Sequence, residues 1–216
     1  MDIILPRRII HSYRNCKGRV IGINIQIFFE YLFHYIRQQS RGVSVEQLLL
    51  MWLICITILH ICCILYTGFR GRKIKWYREV LLALILGYAC FGVQITLLRR
   101  ESGSRGVMYT FLHLGNLFGD WYERQQFFYA FLNVCFFIPW GLLWGLWRSG
   151  DEAWKRMLMV TGYSFLTTAA VEILQLVTGR GFFEVTDIVT NLAGGMIGGM
   201  LACIVTGIAQ HIHKNG

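Results

Sequence analysis

Charge is what this chain of 216 residues has least of: charged side chains make up 15% of it, against roughly a quarter in an ordinary soluble domain. The shortage is uneven. The windows 47–68, 80–98, 125–147, 157–179 and 188–210 hold a single formal charge between them, Glu172. Five stretches of about 20 residues, apolar all round, exceed what a 25.0 kDa soluble protein can enclose, so a soluble globular fold is excluded. Each stretch matches the ~20 residues needed to cross a hydrocarbon core of about 30 Å. The chain also lacks a cysteine framework: Cys55, Cys62, Cys63, Cys90, Cys135 and Cys203 lie inside the apolar windows and only Cys16 lies outside, a distribution that fits small buried hydrophobes and neither disulfide pairs nor metal ligation. A cleavable leader is not expected, because Pro6, Arg7, Arg8, Arg14, Asn15 and Lys17 interrupt the first 20 residues, and the first strong span is read as an uncleaved insertion signal.

What remains is 55% hydrophobic and carries a net charge of +9. The basic residues flank the windows, where anionic lipid headgroups and the insertion machinery account for them, so no nucleic-acid partner is expected. Counting Lys and Arg in the connections sets an orientation. Arg70, Arg72, Lys73, Lys75, Arg78, Arg148, Lys155, Arg156 and Lys214 fall on one side, and Arg99, Arg100, Arg105, Arg124 and Arg180 on the other, which favours a cytoplasmic C-terminus. The segment Val20–Ile36 improves the balance if it crosses, since it puts Arg7, Arg8, Arg14, Lys17 and Arg19 inside and only Arg37 and Arg41 outside. It is short and contains Asn24, Gln26, Glu30 and His34, so an amphipathic helix in the interface is the competing reading. The expected fold is an all-α, multi-pass transmembrane bundle with five strong spans and a sixth candidate near the N-terminus. Residues 1–76 read as an extension holding the candidate span 20–36 and the span 47–68, residues 77–210 as the main transmembrane domain, and residues 211–216 as a short tail. The long connection 99–126 is rich in glycine and aromatic residues and has the length to carry a short helix or to dip back into the membrane.

With that orientation the ends of the second and fourth windows share one depth with the beginnings of the third and fifth, and polar residues concentrate there. Gln94, Thr96, Arg99, Asn133, Glu172, Gln175, Arg180, Glu184, Asp187 and Asn191 form the set. A carboxylate near mid-membrane costs about 2.5–3.5 kcal/mol on insertion scales, so such groups face a protein interior or a wet cavity and find partners. Glu172 and Gln175 are three apart and Asp187 and Asn191 four apart, which puts each pair on one helix face. Arg180 lies in the turn between them, where its guanidinium is expected to fork onto a carboxylate. Polar glue that fixes helix register is the plainer reading, and a functional pocket of Asn133, Glu172, Gln175, Arg180, Asp187 and Asn191 the sharper one. Two carboxylates can do acid–base work or hold a hard cation. No nucleophile–base pair, metal-spaced His/Cys set or phosphate-cradling glycine loop accompanies them, so no metal or cofactor is expected and catalysis is not assigned.

Gly194, Gly195, Gly198 and Gly199 make two overlapping GxxxG pairs, expected to bring the last helix against the preceding one or a second copy. Pro139 removes one backbone hydrogen bond and is expected to kink its helix near the carbonyl of Cys135. Trp140, Trp144 and Trp147 suit an interfacial belt.

Taken together, Asn133-x3-Phe137-x-Pro139-x-Gly141, then Thr168-x3-Glu172-x2-Gln175, then Arg180, then Asp187-x3-Asn191-x2-Gly194-Gly195-x2-Gly198 resembles the VanZ-like family over roughly Tyr77 to Val205. The chain departs from the family pattern at Thr168, where serine is frequent, at Glu184-x-x-Asp187, where an Asp-x-x-Asp pair is usual, and at Asn116-Leu117, which lacks the proline of the family's loop. The resemblance implies a bacterial cytoplasmic-membrane protein that affects the cell envelope or susceptibility to teicoplanin and related lipoglycopeptides, without a settled enzymatic activity. Expected partners are membrane lipids and a lipid-linked envelope intermediate or a lipoglycopeptide, with a homo-oligomer compatible with the glycine stripes. An intramembrane enzyme using Glu172 and Asp187 on a lipid-linked substrate, and a small transporter, are the competing functions.

Overall fold

The computed structural model describes residues 25–70, 75–100, 103 and 107–215. Six helices account for nearly all of them: α1 (Ile25–Ser40), α2 (Val45–Arg70), α3 (Trp76–Val93), α4 (Trp121–Trp147), α5 (Ala153–Thr178) and α6 (Val185–Asn215). Among the described residues five helices are long and apolar enough to cross a membrane, Val45–Thr67, Trp76–Leu98, Trp121–Trp147, Ala153–Thr178 and Val185–Ile212. The chain is a multi-pass all-α membrane bundle. Residues 20–24 of the candidate sixth span lie outside the described residues, and the helix that holds the remainder runs on to Ser40.

The helices differ in how they are solvated. The α2 span has the highest mean hydropathy, 2.8, and is 6% buried, whereas the α4 and α6 spans are 28% buried. A helix that is apolar all round and touches little protein has lipid as its partner. It is tied to α3 by the Trp52 indole, which donates to Ala83 O at 2.9 Å, in a gap that Gly87 leaves open.

The core is the α4–α5–α6 packing, and glycine decides it. Gly194 and Gly198 lie against the α4 backbone at Val134 and Ile138, and Gly141 of α4 meets Gly195. Gly195 and Gly199 face α5 at Ser164, Met157 and Val160. The two overlapping pairs therefore serve two different neighbours: the stripe expected to contact the preceding helix also contacts α4, because glycines one residue apart point about 100° apart around a helix. Pro139 sits inside the continuous α4 helix, and in the turn before it the Tyr88 hydroxyl donates to Phe136 O at 2.5 Å. Trp140 is buried with Ile85 and Phe137, Trp144 and Trp147 pack against that cluster, and Trp144 meets Tyr163 in a tilted contact at 4.3 Å, so the three belt tryptophans pack inward.

One end of the bundle is closed by loops. The helix α3 ends in a π turn, Gln94–Leu98, and α5 ends on Gly179, whose φ of 62° is the left-handed conformation glycine adopts without strain. The 99–120 connection shows no helix among its described residues. It runs beside the α5–α6 turn, pairing β1 (Met108–Tyr109) in parallel with β2 (Phe183–Glu184), and His113 N donates to Thr186 Oγ1 at 3.0 Å.

Candidate functional site

The polar residues gather at this closed end, each placed by a helix terminus. The last carbonyls of any helix lack intrahelical partners, and those of α3 are taken by the neighbouring helix end: Gln175 Nε2 donates to Thr96 O and Arg180 Nη1 to Leu97 O, both at 3.3 Å. Glu172 is 1% exposed, and its Oε2 accepts the backbone N–H of Glu184 at 2.8 Å, so the entry to α6 is hung from α5. On the other flank Asn133 Nδ2 donates to Asp187 Oδ1 at 2.7 Å, linking α4 to α6, and Asn191 Nδ2 donates to Thr168 Oγ1 at 2.9 Å, linking α6 to α5.

Two adjoining cavities open among these groups. One, of about 810 Å³, is a polar vestibule lined by His34, Arg37, Arg41, Arg99, Arg100, Glu184 and Asp187. The second, of about 350 Å³, is a mostly apolar groove between α3, α4 and α5 that reaches down to Tyr88, Phe136 and Trp140. Gln39, Arg100, Tyr129, Asn133, Gln175 and Asp187 line both. From Asn133 to Trp140 the groove follows about two turns of α4, a depth of roughly 10 Å at 1.5 Å per residue.

Five of the six expected pocket residues, Asn133, Glu172, Gln175, Asp187 and Asn191, line the groove. Arg180 does not. It lies at the carbonyl end of α3, where a cation meets the negative end of the helix dipole. The cation facing the carboxylates is Arg100, whose charge acts on Glu172, Glu184 and Asp187. Its guanidinium lies beside Gln175 and over Gly181, where a Cβ would stand 2.8 Å from Arg100 Nη1. Burial pushes the Glu184 carboxyl up from its ordinary value, and Arg100 opposes the shift. Among the described residues no group of three or more His, Cys, Asp or Glu side chains is arranged to hold a metal ion.

Sequence reasoning named a helix over Val20–Ile36 but missed the part that α1 plays at the site. Arg99 Nη1 donates to Gln38 O at 2.9 Å and Arg99 Nη2 to Gln39 Oε1 at 2.6 Å, while Tyr31 and Tyr35 stack on Phe128 of α4, so this helix is bound to the bundle and, with the turn that follows it, brings His34, Arg37, Gln38, Gln39 and Arg41 to the vestibule. The available signal was Arg37 and Arg41 themselves, counted only as charges that set orientation. Gln94, 1% exposed, fixes the next connection by accepting from Ser44 N at 3.1 Å and donating to Gln47 Oε1 at 3.2 Å.

A family model described as VanZ/LLP1 matches residues 80–206, more than half of the chain. No curated protein and no solved structure matches it.

Proposed function

We propose that this chain, which belongs to the VanZ/LLP1 family, holds an amphiphile in the outer leaflet of a bacterial cytoplasmic membrane and thereby alters the cell envelope or its response to lipoglycopeptides of the teicoplanin type. The observation that carries the reading is the union of the two cavities: a polar vestibule and an apolar groove share Asn133, Gln175 and Asp187 at their junction. A headgroup and an acyl chain need those two environments side by side, at the depth where a bilayer changes from one to the other. The lysine and arginine balance favours a C-terminus inside and with it a vestibule outside. The ligand is an envelope lipid intermediate or the acyl tail and sugars of a lipoglycopeptide.

The test is the teicoplanin susceptibility of cells expressing the protein, beside cells expressing an equally abundant Glu172→Gln, Asp187→Asn double variant. Protection by the wild type and its loss in the variant is the expected outcome. Equal protection by both overturns the role of the pocket.

A further inference from the structure

Four arginines line the vestibule, and among the described residues hydrogen bonds hold the Arg99 guanidinium alone. Arg99 is held by Ile95 O, Gln38 O and Gln39 Oε1. The side chains of Arg37, Arg41 and Arg100 form no salt bridge among the described residues, although all three face the cavity. The two carboxylates that share this lining, Glu184 and Asp187, leave an excess of two positive charges with His34 neutral. Burial, and after it the neighbouring charge of Arg100, pull the Arg99 guanidinium below its ordinary value in the same place. Like charges held around open space are relieved by an anion. Planar guanidinium groups suit tetrahedral oxyanions, which they bind in bidentate fashion, and a phosphate monoester carries about −1.5 to −2 at neutral pH.

Resting on the amphiphile reading, we propose that the headgroup held here is a lipid phosphate, and that its selection is supplied by α1, ahead of the family-matched residues 80–206, through Arg37 and Arg41. Arg100 belongs to the matched region and stands at the junction with the groove, where it meets the phosphate from the chain side. The groove assigns the phosphate to a lipid: a free anion has no use for an apolar slot lined by Tyr88, Phe136 and Trp140.

The experiment is equilibrium displacement of a fluorescent-tailed phosphatidic acid from the full chain in detergent, with unlabelled dioleoylphosphatidic acid, dioleoylglycerol and inorganic phosphate as competitors. The wild type is expected to prefer phosphatidic acid over dioleoylglycerol. The exposed pair Arg37→Gln, Arg41→Gln should weaken phosphatidic acid by at least about tenfold, the lower bound for the loss of a charge-assisted hydrogen bond, and leave dioleoylglycerol unchanged. Equal affinity for the two lipids overturns the phosphate assignment and leaves the amphiphile reading standing; failure of both to bind overturns that reading as well. Displacement by inorganic phosphate as effective as by phosphatidic acid assigns the site to a free anion. An unchanged preference in the double variant removes α1 from the selection.

Discussion

Both ends of the bundle gather arginine, and the fold treats the two groups differently. Away from the vestibule, Arg156 is 4% exposed, and its guanidinium is occupied by Thr206 Oγ1 at 2.5 Å, Ser149 O at 2.9 Å and Asp151 O at 3.1 Å. Beside it, Arg148 pairs with Asp151 at 2.5 Å. These contacts hold the α4–α5 turn against α6. At the vestibule end, Arg37, Arg41 and Arg100 face a cavity with no carboxylate within ion-pair distance among the described residues. Residue type is the same at both ends; what differs is that the Arg156 donors meet hydroxyl and carbonyl oxygens, whereas no ion pair holds Arg37, Arg41 or Arg100 among the described residues.

The comparison can be broken or sharpened by substitution. The largest effect on stability is expected from Arg156→Ala, which leaves two carbonyls without their donor and should cost on the order of 2 kcal/mol, read as a lower unfolding temperature in detergent with lipid binding by the surviving folded protein unchanged. A loss of lipid binding without a loss of stability would reverse the assignment of the two ends. Arg180→Ala tests the residue that sequence reasoning placed in the pocket. As a cap on the carbonyl end of α3 it should cost about 0.3–1 kcal/mol of stability and leave ligand affinity unaltered, whereas a change in affinity would return Arg180 to the site.

The smallest effect concerns pH. The Glu184 carboxyl is pushed upward in the folded chain, so the folded state binds a proton more tightly than the unfolded one. Its contribution to stability is therefore present at low pH and is lost as pH rises from the ordinary value of 4.5 through the raised folded value. Glu184→Gln should flatten the fall in unfolding temperature over that window, and an unchanged slope as pH rises from 4.5 would show that the carboxyl is not desolvated (about one residue's worth of linkage is the ceiling).

Much of the fold was legible because the membrane makes the rules local. A window without charge crosses or it does not, and the five windows reappear as the five long apolar helices. Part of the site was legible for the same reason: Glu172 with Gln175, and Asp187 with Asn191, share helix faces by spacing alone, and all four line the groove. The partner of each carboxylate was less legible. Arg180 and Arg100 are both arginines at a helix end, and choosing between them depends on Gly181 leaving room for Arg100 while Arg180 turns to Leu97 O. The role of Arg156 was hidden likewise, since a basic residue in a short connection reads first as an orientation signal.

The sequence by itself determined that this is a multi-pass helical protein, which residues share a helix face, and that glycine would set the closest helix approach, because hydrophobic length, spacing of 3.6 residues per turn and the absence of a Cβ are properties of the chain alone. Only the tertiary structure decided that Gly194 and Gly198 lie against α4 while Gly195 and Gly199 also face α5, that Arg100 is the cation whose charge acts on the carboxylates, and that α1 walls the vestibule. Those outcomes depend on which surfaces abut across distant stretches of chain, and no local pattern encodes a distance between helices.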